Sequence, residues 1–209
     1  MELHIVLSFI GTSILLSLMP GPDNIFVLTE SLTKGQRNGI AISVGLSLGV
    51  LMHTLAAAAG LSIIIQQSAT AFSVIKYAGA AYLFYLAYKA AKEKSSTIEF
   101  SVDVKKERAK ISSLVRKGFF MNILNPKVSL FFIAFLPQFI SYNGMNVTVQ
   151  FIILGLLFMV QAFCVFNLIA ILSGKLTRYI ENARFWKITK WCSVTILTIL
   201  GLTLAFSKR

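Results

Sequence analysis

Asp23 is the first group in the chain placed to do chemistry. It lies in the run Met19-Pro20-Gly21-Pro22-Asp23-Asn24, set inside the first long hydrophobic segment. Pro20 and Pro22 each remove a backbone N–H and clash with the preceding turn, so no unbroken helix passes through them. In hydrocarbon, the carbonyls they free must be met by protein or by a water-lined cavity. An ionisable group at that depth is costly and marks a functional site by default. A second interruption, Asn122-Ile123-Leu124-Asn125-Pro126-Lys127, sets a cation against apolar surroundings, and Asn125-Pro126 starts or kinks a helix. A broken helix offers free N–H groups and a positive dipole end to an anion, and exposed carbonyls to a cation. Asp23 would then receive an ammonium or carry a coupled proton, while Lys127 or the N–H groups after Asn125-Pro126 would meet a carboxylate. Those are the two charges of an α-amino acid. Alternatively, Asp23 and Lys127 neutralise each other as a buried pair, which is weak evidence for stability.

The elements that must hold these residues are membrane spans. The chain has 209 residues, 56% hydrophobic and 13% charged, with mean hydropathy +0.75. Soluble domains carry roughly 25% charged residues, so this composition reads as integral membrane. A crossing helix needs about 20 apolar residues. Six segments qualify: Leu3–Leu28, Gly39–Ile65, Ala71–Tyr88, Gly118–Ile140, Val147–Leu172 and Trp191–Phe206, the last being the shortest. The expected architecture is an all-α membrane protein of six helices, broken at proline in the first and the fourth. It forms one domain over 1–209: a three-helix half at 1–88, a basic loop at 89–117 and a second three-helix half at 118–209. The start carries Glu2 and His4 and no basic leader, so no cleavable signal is expected.

The net charge of +12 is distributed by loop. Two basic residues fall in the first loop (Lys34, Arg37), nine in 89–117 and five in the fifth loop (Lys175, Arg178, Arg184, Lys187, Lys190), sixteen of twenty in all. The connections at 66–70 and 141–146 hold none, and only the terminal Lys208-Arg209 runs against the pattern. By the positive-inside rule the basic loops are cytoplasmic and both termini lie outside. Lys76 would snorkel outward from the third span, and the 89–117 segment would rest on the anionic leaflet. The basic residues are not interleaved with aromatics on an exposed face, so a nucleic-acid partner is not expected.

Small residues indicate how the spans pack. Gly45 and Gly49 form a small-xxx-small stripe on the second span, and Gly79 marks tight packing of the third. Such glycine faces permit a homodimer and equally serve packing within one chain. His53 continues the Gly45/Gly49 stripe; a lone histidine there is a hydrogen-bonded structural group, or a proton relay with its ordinary pKa of about 6.5. Cys164 and Cys192 read as small buried apolar side chains, without the spacing of a disulfide pair or a metal site. Tyr82, Tyr85 and Tyr88 read as interfacial belt and core. Gln161 and Asn167 are the strongly polar residues of the fifth span.

Three spans, a long loop and three more spans suggest two antiparallel halves, the inverted-repeat plan of secondary transporters. The two leading spans both carry breaks. In the orientation above, both breaks lie toward the cytoplasm, which makes Pro137 the better formal partner of Pro20.

The chain resembles the LysE-type amino-acid exporter family, within it the homoserine/threonine (RhtB) and leucine-efflux branch. The resemblance is carried by Met19-Pro20-Gly21-Pro22-Asp23, Gly45-x3-Gly49-x3-His53, Tyr77-Ala78-Gly79-Ala80-Ala81-Tyr82-Leu83, Gly118-Phe119-x2-Asn122-x2-Asn125-Pro126-Lys127 and Phe135-x-Pro137-Gln138-Phe139, in that order along nearly the whole chain. It implies an inner-membrane exporter of amino acids or close derivatives, driven by proton exchange, without a cofactor. Pro20, Pro22, Asp23, Asn125, Pro126 and Lys127 carry over as site-forming positions; Gly21, Asn24 and His53 join them from the reading of the residues. The alternatives are a membrane-embedded enzyme or a channel. An enzyme would want clustered histidines, cysteines or carboxylates, and a channel a polar ring along one helix; neither pattern occurs, and no Gly-rich nucleotide loop is present.

Overall fold

The computed structural model describes residues 1–92, 110–141, 144–180 and 182–207, and every regular element among them is helical. Lys94, Lys105, Lys106 and Arg108 of the basic segment and the terminal Lys208-Arg209 lie outside the described residues. Two of the spans are bent pairs. Helix α1 (Leu3–Leu18) and α2 (Pro22–Lys34) meet at 58° across Met19–Gly21, and α6 (Ile111–Ile123) meets the Pro126–Phe139 segment at 48°. That segment is α7 (Pro126–Leu130), a π turn (Phe131–Phe135) and a 3-10 turn (Leu136–Phe139). Proline stands at the first position of both restarts, where its missing N–H would have no helical partner anyway.

Helix α3 (Gln36–Ala56) follows α2 through Gly35, whose φ of 95° turns the chain in a conformation that costs glycine little. It continues through a π turn (Ala57–Leu61) into α4 (Ser62–Gln67). Then come α5 (Ala69–Lys92), α8 (Val147–Ile180) and α9 (Ala183–Phe206). Ser68, Asn146 and Asn182 cap these three helices, each accepting from a backbone N–H two or three residues on.

Among the described residues, three stretches are long and apolar enough to cross a bilayer by themselves, Gln36–Ile64, Val147–Leu176 and Arg184–Phe206; counting each bent pair as one span brings the number to five. The sixth expected span lies in α5. It has the length, 24 residues, but four tyrosines and Lys76 leave it less apolar. The segment expected to be shortest, Trp191–Phe206, instead belongs to a 24-residue helix. Lys76 does not snorkel to water alone: its Nζ donates to the Ser207 carbonyl at 3.0 Å, just past the end of α9.

Polarity is distributed inside out. Ser13, Ser43, Ser47 and Thr54 are buried, and each donates to the carbonyl four residues back, so no hydroxyl is left unmet. Large apolar residues such as Val149, Ile152, Leu156, Val160 and Phe163 line the outer face of α8. Cys164 and Cys192 belong to the outer surface as well: both are exposed, which corrects the expectation of buried cysteines. The centre is aromatic. The π turn directs Phe131 and Phe132 inward onto Phe158, with ring centroids 5.1 and 5.3 Å apart, and Phe9 closes the cluster.

Helix α3 packs along α6 with backbone close against backbone. A Cβ on Gly45 would lie 2.0 Å from the Val115 carbonyl oxygen, and one on Gly118 would lie 2.4 Å from that of Ile42. A Cβ on Gly49 would lie 2.7 Å from Asn122 Cβ, and one on Gly79 would lie 2.2 Å from Ala134 Cβ. All four absent side chains therefore serve contacts within one chain.

Candidate functional site

The two breaks meet in the interior. Pro20 cannot donate to Leu16, nor Pro22 to Leu18, and the turn out of α1 leaves the Ser17 and Met19 carbonyls unmet by helix. Each finds another donor. The backbone N–H of Met19 closes on Leu15, and Asn24 Nδ2 donates to Ser17 at 2.8 Å and to Leu18 at 3.5 Å. Lys127 Nζ, arriving from α7, donates to the Leu16 carbonyl at 3.1 Å and to that of Met19 at 3.0 Å. The frayed end of α1 is thus capped by one amide from α2 and one ammonium from the second half of the chain.

Asp23 sits in the first turn of α2 and is 1% exposed. Its Oδ2 accepts from Asn125 Nδ2 at 2.8 Å and, at the longer distance of 3.4 Å, from Asn122 Nδ2. Its Oδ1 has no hydrogen-bond partner. Asn125 has two roles: its amide holds Asp23, while its Oδ1 accepts the Lys127 N–H at 3.0 Å and so caps α7. One of the amides after Asn125-Pro126, expected to be free for a carboxylate, is therefore taken. The half-helix without a side-chain cap is α2, which starts from Gly21.

Asp23 and Lys127 form no ion pair with each other, so mutual neutralisation by contact is not what the structure contains. Both line one buried cavity of about 10 Å³, together with Ser17, Asn122, Phe158 and Phe166. That volume holds about one water molecule. Gly21 lies against Lys127: a Cβ there would be 3.3 Å from Nζ. His53 reaches the same group from α3, its Nε2 lying 3.2 Å from the Asn122 carbonyl oxygen and its ring 5.6 Å from that of Phe132. It touches Asp23 only by way of Asn122.

Pro20, Gly21, Pro22, Asp23, Asn24, His53, Asn125, Pro126 and Lys127 thus converge on one place. Pro137 does not. It lies in the 3-10 turn beside Phe139, which packs on Phe9, well before the break in α1. The Pro20 break meets the Asn125-Pro126 break in space, and both interruptions lie near the middle of their bent pairs, because α2 and α6 extend past the segments read from sequence. Asn122, Ser17 and Gln161 complete the group. Gln161 Nε2 donates to Ser17 Oγ at 3.0 Å, and its Oε1 is buried without a partner. Asn167 turns outward instead and donates to Phe163 of its own helix. A further buried carboxylate, Glu30, lies two turns beyond Asp23 on α2, with one oxygen on Lys34 at 3.1 Å and the other unpartnered.

The LysE type translocator family matches residues 14–208. An uncharacterized membrane protein of Bacillus subtilis (strain 168), YrhP, is 33% identical, covering 98% of this chain and all of its own length. An uncharacterized membrane protein of Vibrio cholerae is 30% identical over 87% of each chain. A protein of Klebsiella pneumoniae named leucine efflux protein is 28% identical, covering 85% of this chain and 83% of its own. No solved structure matches. With the family matched over nearly its whole length, the chain belongs to the LysE type translocators: it is a multi-pass membrane transporter, not an enzyme.

Proposed function

We propose that this chain exports amino acids or close derivatives across the bacterial inner membrane, as a secondary transporter working by alternating access in exchange for protons. One observation carries the reading. Two helix breaks, one bearing a carboxylate and the other an ammonium, face a single buried cavity. A zwitterion complements both charges without adding net charge to a low-dielectric site, where an uncompensated charge is expensive. The leucine efflux protein among the relatives favours an aliphatic cargo, and Phe158 and Phe166 in the lining suit one. A cavity of about 10 Å³ admits no amino acid, so the halves must part to load and unload it. Proton exchange rests on Asp23 and His53, joined through Asn122.

The reading includes α5 as a sixth span and an inverted repeat of two three-helix halves, 1–88 and 118–209. The packing supports it. The first bent pair lies on α8 as α6 of the second lies on α3, while α3–α8 and α5–α9 pair across the halves. Exchanging the halves maps these pairings onto one another, whereas the packing of α2 on α3 and of α5 on the Phe131–Phe135 turn has no counterpart of similar extent. Both termini are then periplasmic, and the lysine- and arginine-rich ends cytoplasmic.

Cells loaded with leucine-containing dipeptides test export directly. Overexpression should lower the retained free leucine several-fold; an unchanged pool, for leucine and for each other amino acid supplied the same way, contradicts it. For the coupling, counterflow in proteoliposomes should respond to an imposed pH gradient, and identical rates would remove the proton.

A further inference from the structure

Lys127 is an unusual helix cap. A buried ammonium normally meets a carboxylate, yet this one rests on two main-chain carbonyls, Leu16 and Met19, and leaves the nearby Asp23 with an unpartnered Oδ1. Those carbonyls exist as acceptors only because Pro20 and the turn after it interrupt α1. Gly21 keeps the approach open, since a Cβ there would already crowd Nζ at 3.3 Å. The bound group is a primary ammonium on a flexible four-carbon stem, while its neighbours in the cavity lining include the stiff rings of Phe158 and Phe166. It is therefore a part of the closed site that can leave without unfolding a helix.

We propose that Lys127 is a displaceable cap: an α-amino acid takes over the Leu16 and Met19 carbonyls with its own α-ammonium and presents its carboxylate to the released Lys127. This rests on the amino-acid export reading above and says how that site recognises its cargo. The exchange conserves hydrogen bonds, because one ammonium replaces another on the same carbonyls, and it conserves charge, because the newcomer is neutral overall. A cargo with only an ammonium supplies nothing to draw Lys127 away. A cargo with only a carboxylate draws it away but leaves two buried carbonyls unmet, which is costly in a membrane interior. Both charges are needed together, and the side chain contributes little to that requirement. Asp23, with its free Oδ1, stabilises whichever ammonium is in place.

The test is competition against labelled L-leucine counterflow in proteoliposomes of the full chain. L-leucinamide and 3-methylbutylamine (ammonium only) and 4-methylpentanoate and N-acetyl-L-leucine (carboxylate only) are each expected to compete at least tenfold more weakly than unlabelled L-leucine. If 3-methylbutylamine competes within twofold of leucine, the proposal falls, because an amine alone then occupies the site without engaging Lys127. In Lys127→Gln, the discrimination between leucine and leucinamide should shrink to threefold or less. A slower variant that keeps the wild-type ratio assigns Lys127 a structural role only and also overturns the proposal. If Lys127→Gln does not fold, the analogue series on the wild type still decides. Should the wild type show counterflow with none of the twenty amino acids, export itself fails; transport without the double-charge requirement removes only the displaceable cap.

Discussion

Asn125 joins two parts of the site that a shorter side chain would let go. Its amide makes the one short hydrogen bond to Asp23, and its carbonyl oxygen caps the helix that carries Lys127. In Asn125→Ala, Asp23 keeps only the 3.4 Å contact from Asn122. Losing an N-cap costs about 1 kcal/mol, and removing a hydrogen bond to a charged group about 1.5–3 kcal/mol. The variant should melt at lower temperature in detergent and transport at least tenfold more slowly, read by size-exclusion thermal shift and by counterflow. Asn125→Asp is the informative companion. It keeps the cap acceptor but sets a second acid against Asp23, so it should melt closer to wild type and still fail to transport. Much of this site was legible in the sequence because prolines and charges inside apolar runs have no bland explanation. What Lys127 touches was not. Sequence shows a cation and a carboxylate in separate interrupted segments, but not that carbonyls freed four and seven residues before Asp23 compete for the cation. Ser17 carried no mark, and Asn122 and Gln161 stood out only as polar residues in apolar runs, which satisfy themselves locally, as Asn167 does, as often as they face a site.

Helix α3 and α6 set the geometry at the next scale. His53 and Asn122 can meet only because Gly45, Gly49 and Gly118 let the two backbones approach. A Gly45→Leu side chain would start 2.0 Å from the Val115 carbonyl oxygen and must push the helices apart. Overpacking of this kind costs about 1–3 kcal/mol. Loss of monodisperse protein or a clear fall in melting temperature is expected, together with loss of transport. Gly11→Ala in α1 meets nothing within 4 Å and serves as the control, expected at or slightly above wild-type stability. The glycine stripe was readable as a packing face from its spacing alone. Its partner was not, because α6 is far away in sequence and its own contribution is a single glycine.

At the scale of the whole molecule, leucine, isoleucine and tyrosine lie on the outer surface, while hydroxyls and amides are buried among the phenylalanines and leucines of the core. The hydrophobic-length signal is weakest at α5, where tyrosines and Lys76 dilute it while the helix packs against α9. If α5 spans, single cysteines at Lys34, Lys92 and Lys187 should all be labelled from the cytoplasmic side, and cysteines at Ser68 and Met145 from the outside. Were Lys34 and Lys92 labelled from opposite sides, α5 would lie on one face and the inverted repeat would be lost. Exposed Cys164 and Cys192 must first be replaced by serine so that they do not report instead.

The central claim is that cargo binds where the two helix breaks meet, on the Asp23 side of the cavity. The measurement that bears on it most directly is L-leucine counterflow into proteoliposomes by the wild type and by Asp23→Asn, matched for folded protein by size exclusion. The substitution keeps the shape and the acceptor for Asn125 but removes the charge. The account predicts that the wild type accumulates label and that Asp23→Asn retains less than a tenth of the rate. Equal rates in the two proteins would contradict it and move the transport path elsewhere in the bundle.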